Sequence, residues 1–553
     1  MKFKKDNLTL IPVGGSEQIG MNANLYQFNE KWILVDLGIA FPDETQVGVD
    51  ILLPDFEFIK KIKNKLVGIF LTHAHEDHYG ALQYFINDID CPIWGSEFTL
   101  AMLRRKLSEN GFNKKLILKK YPKKTNIVVN EFEITSIQNS HSIPQSVSLL
   151  IKTKNNIVFH TGDWKFKGSK NLREKPFVDR LKFLQKSKIT SIISDSTNAL
   201  IEGVTPSEDY ASKGLNKLIS KNRGLTIVTC FSSNISRIKS ILDIAKSNEK
   251  KVCILGRAIK RSVDAAIEVG YIEKKYNFFS INDLDKFDKE NFLILSSGSQ
   301  GEQNSSLTRI AFGKVDKIRL DEQDTVIFSS KKIPGNERKI SKVEQMFVEK
   351  NVNIFNEENN NSIHVSGHPC RDEILEMYKL LKPKSVIPVH GNRMQLEGNA
   401  NIARDCKVKN IYIPKNGDVI EFQNDSPKCI NNIEMDTKVF DGENVVSLKD
   451  EKYSIRKQAL WNGIIMASVV LNNKGELITV PQLSEMGISK TNKMNNTLLE
   501  ISLKIEDSIE NLNNIKTIDD EDLSDILKKI IQKEIKLAFS IRPIVNIHIN
   551  RIQ

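Results

Sequence analysis

Three histidines and two acidic residues lie together at positions 73 to 78, in the order His-Ala-His-Glu-Asp-His. They follow an apolar segment, Val67–Leu71, that predicts a buried strand. Residues two apart on a strand point to the same side, so His73 and His75 can bind one cation, whereas Asp77 and His78 lie on the following turn and can face a second. Imidazole nitrogen and carboxylate oxygen suit zinc, or manganese where carboxylate and water dominate. Because good ligand types rarely cluster at a strand end by chance, the run predicts a metal centre rather than a polar surface loop.

The elements that must position this cluster alternate between strands and helices. Short apolar runs punctuated by glycines over residues 8–37 predict an antiparallel sheet, and the alternation that follows is typical of an α/β layer fold. A second alternation, between Thr205 and Asn351, predicts a separate domain with a parallel sheet. Ser362–Val365 and Ser385–Val389 then predict two strands, each followed shortly by a histidine.

Composition predicts a folded protein of several domains. A chain of 553 residues is too long for one hydrophobic core, so about two to four domains are expected. With 80 Lys and Arg against 69 Asp and Glu, the formal charge of +11 favours a polyanionic partner such as nucleic acid. Codon bias towards Lys would give the same charge balance. The sequence therefore also allows the interpretation that the lysines only solvate the surface.

The cysteines and apolar runs restrict the location of the protein. The six cysteines lie far apart without C-x-x-C spacing, which predicts reduced thiols and no structural zinc site or redox pair built from cysteine. The first thirteen residues contain no apolar core of a signal peptide, and the longest apolar run, Ile464–Leu471, is too short to span a bilayer. The expectation is therefore a soluble, cytoplasmic protein without a membrane partner.

The run at positions 73 to 78 resembles the metal-binding motif of the metallo-β-lactamase superfamily. Two further motifs follow in the order that this superfamily uses, Asn-Ser-His-Ser around His141 and Thr-Gly-Asp-Trp around Asp163, each at the exit of a predicted strand. A later histidine completes the set in the family, and His390 in Pro-Val-His-Gly matches it best. The resemblance implies two metal sites that share Asp163, one formed by His73, His75, His141 and Asp163 and the other by Asp77, His78, Asp163 and His390.

The separation of His390 from Asp163 implies that the first domain is interrupted by an insertion and completed afterwards. This organisation resembles the β-CASP branch, whose other markers match Asp195 and His368. Within that branch the chain resembles the ribonuclease J family over nearly its whole length, including the segments Cys230–Asn234 and Gly298–Glu302. The implied fold class is α/β, an αββα sandwich interrupted by a β-CASP α/β domain and followed by a small α+β C-terminal domain. The expected domains are residues 1–206 (sandwich, first part), 207–350 (β-CASP), 351–425 (sandwich, return segment), 426–456 (linker) and 457–553 (C-terminal domain).

The resemblance also implies a function, which is metal-dependent hydrolysis of RNA phosphodiester bonds in RNA maturation and decay. Two divalent ions per chain, zinc in the first place and otherwise manganese or magnesium, would activate a water for attack on phosphorus. His368, hydrogen-bonded to Asp195, is implied as the general acid or its orienting partner, and Asp36 as a residue that orients the metal ligands.

Two polar turns resemble the pocket of this family for an RNA 5′ monophosphate, which would permit 5′→3′ exonuclease action beside endonuclease cleavage. These turns comprise Ser232, Ser233 and Asn234, and His364, Val365, Ser366, Gly367 and His368. For either turn taken alone, helix capping is the favoured explanation. The family resemblance further implies a homodimer or homotetramer and association with other RNA-decay proteins.

Some positions depart from the family pattern or match it weakly. Gln18 stands where the family usually has Glu, which puts in doubt any charge role there. Asp50 and Asp441 match positions where related enzymes hold a structural divalent ion, but the sequence around Asp441 is degenerate.

Two rival functions fit parts of the sequence. A lactam or thioester hydrolase of the same superfamily would share the first motif, but such chains usually lack the insertion and the pair of His368 and His390. A catalytically silent RNA-binding scaffold would share the fold, but the intact set of expected ligands disfavours it.

Overall fold

Two β-sheets of the chain pack face to face, and a third sheet is built from residues that interrupt the second one in the sequence. The computed structural model describes residues 3–552 except 44, 113, 173, 334, 424, 443, 513, 514 and 516. The chain divides into two units. The first comprises the residues up to Phe41 together with Ile51–Lys438, and the second Pro42–Asp50 together with the residues from Val439 on.

The strands that belong to the first unit are short and mostly buried. They are β1 Thr9–Gly14, β2 Ala23–Phe28, β3 Lys31–Val35, β4 Leu52–Leu53, β5 Leu66–Phe70, β6 Ile93–Gly95, β7 Leu118–Lys120, β8 Ile127–Val129, β9 Phe132–Gln138, β10 Val147–Lys152, β11 Ile157–His160, β12 Ser191–Asp195, β13 Thr226–Thr229, β14 Lys251–Leu255, β15 Phe292–Ser296, β16 Thr325–Phe328, β17 Asn353–Phe355, β18 Ser385–Val389, β19 Asn410–Ile411, β20 Asp418–Gln423 and β21 Ser426–Asn432.

The helices of the first unit alternate with these strands. They are α1 Phe56–Ile62, α2 Glu76–Tyr79, α3 Leu82–Phe85, α4 Glu97–Glu109, α5 Phe177–Leu184, α6 Glu208–Ile219, α7 Ile235–Ser247, α8 Arg257–Val269, α9 Ser306–Ala311, α10 Glu337–Val348, α11 Arg371–Leu381 and α12 Arg393–Asp405.

The two facing sheets bury one core between them. The first has the strand order β21-β20-β1-β2-β3-β5-β6-β7, and the second has the order β19-β18-β12-β11-β10-β9-β8. Tyr26 and Phe70 of the first sheet and Leu149 and Ile193 of the second meet in this core with no exposed surface. Helices α5, α11 and α12 cover the other face of the second sheet, and α4 lies against β6 and β7 of the first. The predicted αββα sandwich is confirmed.

The residues that follow the insertion complete both sheets. Strand β18 pairs in parallel with β12, with Ile387 beside Ile193 and Val389 beside Asp195. Strand β20 pairs with β1 at the edge of the first sheet. Between β12 and β18 the chain forms a parallel sheet of its own, in the order β14-β15-β13-β16-β17. The predicted interruption of the sandwich by a second α/β layer is therefore confirmed.

Two predicted elements are wrong. Residues 426–456, expected to be an irregular linker, begin with β21, which pairs with β20 at the edge of a sheet. An edge strand with one solvated face is polar, so its polarity resembled that of a loop. Ser362–Val365, expected to be a strand, is irregular. Its backbone is hydrogen-bonded to side chains rather than to a neighbouring strand. Arg237 Nη1, for example, donates to Ile363 O at 3.0 Å.

The second unit contains a small sheet covered by two long helices. Its elements are β22 Lys438–Asp441, which begins at the boundary, β23 Asn444–Ser447, α13 Glu451–Asn462, β24 Ile464–Asn472, β25 Gln482–Met486, α14 Asn492–Glu510, α15 Asp520–Phe539 and β26 Ile544–Ile552. The buried residues of β24 pack against those of α14 and α15 in one apolar core. Throughout the described part of the chain, no helix combines the length and the apolar character that crossing a bilayer needs.

We expect Ile387→Ala to destabilise the first unit by about 2–5 kcal/mol, because it leaves a cavity in the core between the two sheets. The side chain has no exposed surface. Urea unfolding followed by circular dichroism measures the change. Val128→Ala on strand β8 of the same sheet is the control, since Val128 is 72% exposed and its loss should cost less than about 0.5 kcal/mol. Equal stability of both variants would contradict a core completed by β18.

Candidate metal centre

The expected site residues lie at one edge of the sandwich, in loops and in the short helix α2. The cluster at positions 73 to 78 follows β5, His141 follows β9, Asp163 follows β11, and His390 follows β18. Strands β11, β12 and β18 are parallel neighbours. Their carboxyl ends therefore meet at one edge, where α/β proteins commonly bind ligands.

Four of these side chains converge on one point. The atoms His73 Nε2 and His75 Nδ1 are 2.9 Å apart, and His141 Nε2 is 3.0 Å from His75 Nδ1. Oδ2 of Asp163 lies 3.6 Å from Nε2 of both His73 and His141. This is the first group whose ligand atoms are close enough to surround one metal ion.

A second group shares the same carboxylate. Oδ2 of Asp163 lies 3.2 Å from His78 Nε2 and 3.5 Å from His390 Nε2. Oδ2 of Asp77 lies 3.6 Å from His78 Nε2 and 3.5 Å from His390 Nε2. Asp77, His78, Asp163 and His390 thus form a second metal-compatible group, and Asp163 stands between the two.

The residues present fit a metal. Four ligands about 2.1 Å from a tetrahedral ion stand about 3.4 Å apart, close to the separations found in both groups. Oδ1 of Asp163 is buried without a hydrogen-bond partner, although such atoms are rarely left unsatisfied. Burial lowers the pKa of His75 to about 4 and that of His73 and His141 well below the usual value, so these imidazoles are neutral, as ligation requires. The buried His and Asp cluster is therefore compatible with metal binding.

Hydrogen bonds on the far side of the imidazoles orient them. His78 Nδ1 donates to Oδ2 of Asp36 at 2.7 Å, and Asp36 in turn accepts from the amide and the hydroxyl of Thr72, both at 2.7 Å. His141 Nδ1 donates to the carbonyl of Gly367 at 2.7 Å. Each bond leaves Nε2 free to face the cluster, which is the arrangement typical of metal-ligating histidines.

Two residues of the site adopt left-handed backbone conformations. His390 has φ 55° and Asp36 has φ 61°, which is unfavourable for residues other than glycine. The amide of His390 donates to Gly15 O at 2.7 Å and thereby holds this conformation. Gly38 lies so close to the metal-binding turn that a Cβ there would stand 1.7 Å from Asp77 O. Packing around the site thus imposes conformations that the residues would not adopt alone.

His368 lies beside the cluster and pairs with Asp195. Its Nδ1 donates to Asp195 Oδ2 at 2.9 Å and stands 3.8 Å from Asp163 Oδ2. Burial lowers the pKa of His368, but Asp195 and Asp163 outweigh it and raise the pKa to about 9. The His368 ring is therefore protonated near neutral pH. Its side chain is 21% exposed, so a bound molecule can reach it.

The two turns expected to bind a 5′ phosphate are linked by one side chain. Asn234 caps α7 by accepting from the amide of Arg237 at 2.9 Å, while Arg237 Nη1 donates to Ile363 O at the start of the second turn. Ser232 and Ser233 are partly exposed. His364 Nδ1 is buried without a partner, whereas Val365 is packed at 4% exposure.

Other groups support the site through contacts that the sequence did not predict. Thr72 links Asp36 to His73, since its hydroxyl lies 2.9 Å from His73 Nδ1. The carbonyl of Gly367 holds His141, whereas Ser366 Oγ accepts from Asn198 Nδ2 at 2.8 Å. The position of Thr72 directly before the first histidine is a signal that could have revealed it, but no sequence pattern connects Gly367 to His141.

The weaker expectations have mixed outcomes. Asp441, a candidate for a structural divalent ion, accepts from Lys452 Nζ at 2.6 Å and from Arg456 Nη2 at 3.2 Å, so its charge is already compensated. Gln18 bridges Gly391 beside the site, and its side-chain nitrogen is buried without a partner.

Three segments of the chain match known families. Residues 20–175 match the metallo-β-lactamase superfamily, residues 223–347 the β-CASP domain of ribonuclease J, and residues 357–414 the RNA specificity domain of Zn-dependent metallo-hydrolases.

Relatives resemble the chain over nearly its whole length. It is 30% identical to a ribonuclease J of Sinorhizobium meliloti over 99% of this chain and 98% of the relative. It is 33% identical to a ribonuclease J of Helicobacter pylori over 96% of this chain and 78% of the relative. A crystal structure of a protein of unknown function from Enterococcus faecalis shares the fold, with a TM-score of 0.54 and 17% identity over 75% of this chain and 100% of that one.

Gly367→Ala should weaken metal binding at the group that contains His141, because a Cβ at position 367 would stand 2.6 Å from His141 Cε1. We expect about one metal equivalent to be lost more readily during dialysis against a chelator, with a 10- to 100-fold lower affinity. Atomic absorption spectroscopy measures the metal content. The control is Gly111→Ala, where a Cβ meets open space at φ +72°. This substitution should lower the free energy of unfolding by about 1 kcal/mol, and the variant should keep its metal. Equal metal retention in both variants would exclude the contact as a determinant.

Proposed function

The chain belongs to the ribonuclease J family, and on this basis we propose that it is a metal-dependent ribonuclease that hydrolyses RNA phosphodiester bonds. The observation that supports the proposal best is the convergence of seven side chains from four segments of the chain around Asp163 Oδ2. These side chains are His73, His75, Asp77, His78, His141, Asp163 and His390. Such a set has no evident structural use, since it gathers buried polar groups that cost free energy unless something binds them.

We propose that the two groups, which have Asp163 in common, would hold two divalent ions, with zinc as the first choice over manganese or magnesium. When bound, such a pair supplies a nucleophile derived from water at neutral pH and stabilises charge on the phosphate oxygens. Asp36 orients His78 from behind, and the Gly367 carbonyl orients His141. These residues keep the ligand nitrogens aimed at the cluster while a substrate is bound.

His368 is proposed to protonate the leaving 3′ oxygen. Three features support this role: it is partly exposed, it stands beside the shared carboxylate, and Asp195 accepts a hydrogen bond from its Nδ1. That bond leaves Nε2 of a protonated ring as the donor towards a bound phosphodiester.

A pocket for a terminal 5′ phosphate is proposed between Ser232, Ser233 and Asn234 on one side and His364 to Gly367 on the other. Helix α7 begins directly after the first of these turns, and the partial positive charge of a helix start attracts a phosphate. The pocket would allow 5′→3′ exonuclease action beside internal cleavage. We further propose action in the cytoplasm on maturing and decaying RNA, as a homodimer or homotetramer and with other RNA-decay proteins.

Purified protein with Mn²⁺ or Zn²⁺ should degrade RNA with a 5′ monophosphate at least about tenfold faster than the same RNA with a 5′ triphosphate, because the pocket seats one phosphate group. End-labelled RNA of one sequence, resolved on denaturing gels, measures both rates. The His75→Ala variant serves as the inactive control. Equal rates on both RNAs would remove the pocket, and hydrolysis of a lactam or a thioester without RNA cleavage would favour a small-molecule hydrolase.

His368→Ala should lower the rate of the chemical step by about 100- to 10,000-fold, the usual contribution of a general acid, while the metal content stays unchanged. Single-turnover cleavage together with metal analysis separates the two quantities. Loss of metal in this variant would show that His368 is a ligand instead.

A further inference from the structure

A cluster of three buried charged side chains lies behind the second turn of the proposed pocket. Lys165, Glu208 and Arg237 are each at most 1% exposed. Oε2 of Glu208 accepts from Arg237 Nε at 3.0 Å and Nη2 at 2.9 Å, and Oε1 lies 3.4 Å from Lys165 Nζ. Burial raises the pKa of Glu208, but the two cations outweigh it and hold the pKa at about 2. The cluster therefore combines one acidic and two basic side chains that have almost no exposed surface.

The three side chains come from different parts of the fold. Lys165 follows the shared carboxylate Asp163 by two residues, whereas Glu208 and Arg237 lie in the first turns of α6 and α7 in the inserted layer. The cluster thus ties the metal-binding loop of the sandwich to the inserted domain. Removing one partner of such a group leaves an uncompensated buried charge.

The donors that do not face Glu208 hold the backbone of the segment before His368. Arg237 Nη1 donates to Ile363 O at 3.0 Å and to Ser329 O at 3.1 Å, and Lys165 Nζ donates to Ser366 O at 2.9 Å. Ile363 O also accepts from the hydroxyl of Ser329 at 2.7 Å. Cationic side chains thus donate to the carbonyl groups of this segment, as the amides of a neighbouring strand would do within a sheet.

The segment held in this way carries two functional contacts at its end. The carbonyl of Gly367 accepts from His141, and His368 pairs with Asp195. We propose that Lys165, Glu208 and Arg237 are positioning residues for the reaction. They fix residues 363–366 so that Gly367 and His368 reach the cluster. The inference rests on the proposed ribonuclease function.

Stability alone does not account for this cluster. Apolar residues of similar volume usually replace a buried ion group at no loss of stability, and often with a gain. Apolar residues cannot, however, donate to the carbonyls of Ile363 and Ser366. A structural role and a positioning role therefore predict different behaviour of an apolar replacement.

The test is the triple variant Lys165→Met, Glu208→Leu and Arg237→Met in the full chain with its metals. We expect the melting temperature to stay within a few degrees of wild type and kcat on 5′-monophosphorylated RNA to fall about 100-fold, the usual effect of a misplaced catalytic group. KM should change less than threefold. Hydrogen exchange measured by mass spectrometry should become faster in the peptide that covers residues 362–369.

The control is the double variant Arg104→Met and Glu268→Leu. This ion pair, 2.7 Å long, also joins the sandwich to the inserted domain but is exposed and touches neither Ile363 nor Ser366. Its kcat and its exchange in residues 362–369 should equal those of wild type. A fall in kcat equal to that of the triple variant would overturn the proposal, because any contact between the two layers would then suffice.

A triple variant that is folded and has wild-type kcat also overturns the proposal. Should the triple variant unfold, Arg237→Lys decides the matter, because lysine keeps the charge opposite Glu208 but cannot also reach Ser329 and Ile363. A folded Arg237→Lys with lower kcat and faster exchange supports positioning, and one with wild-type kcat and exchange rejects it. If wild-type protein cleaves no RNA, the proposed function fails, while hydrogen exchange still reports whether the cluster holds the segment.

Discussion

The site depends on compensating one buried carboxylate. Asp163 is 1% exposed, and its Oδ2 lies between 3.2 and 3.8 Å from nitrogens of His73, His78, His141, His368 and His390. A negative charge removed from water is costly unless opposite charge or a cation balances it. Five histidines therefore surround this carboxylate, and their ring nitrogens supply the polar surroundings that its burial requires.

This requirement constrains the path of the chain. The histidines come from four segments, which follow β5, β9 and β18 and precede α11. Such segments meet only when their strands are assembled in the correct register. The insertion separates β12 from β18 by many residues, yet Asp195 stands beside Val389 across the two strands. The inserted layer must therefore return the chain to the same sheet edge, which places that layer beside the cluster of histidines and aspartates. Its helices α6 and α7 are consequently available to contact the segment before His368.

Buried charge recurs at the junction of the layers. Glu208 with Lys165 and Arg237 resembles Asp163 in one respect, because in both places one buried carboxylate gathers nitrogen groups from several elements. In both places the remaining donors or acceptors orient neighbouring backbone or side chains. Two hydrogen bonds thus connect the candidate metal site to residues 363–368. Lys165 donates to the carbonyl of Ser366, and His141 donates to the carbonyl of Gly367.

The sequence by itself determined those features that depend on residues close together in the chain. The run at positions 73 to 78 stands at a strand end because an apolar segment precedes it, and the alternation of strands and helices indicated the two α/β layers. The positions of His141, Asp163 and His390 became meaningful only through resemblance to a family, since a lone histidine or a Gly-Asp turn has no distinctive pattern. The polar edge strand Ser426–Asn432 was mistaken for a linker and the irregular segment Ser362–Val365 for a strand, because strand pairing depends on neighbours. Only the tertiary structure decided that Gly367 orients His141, that Thr72 supports Asp36, and that Lys165, Glu208 and Arg237 meet. The physical reason is that these contacts join residues far apart in the chain, and their energy exists only once the sheets are assembled.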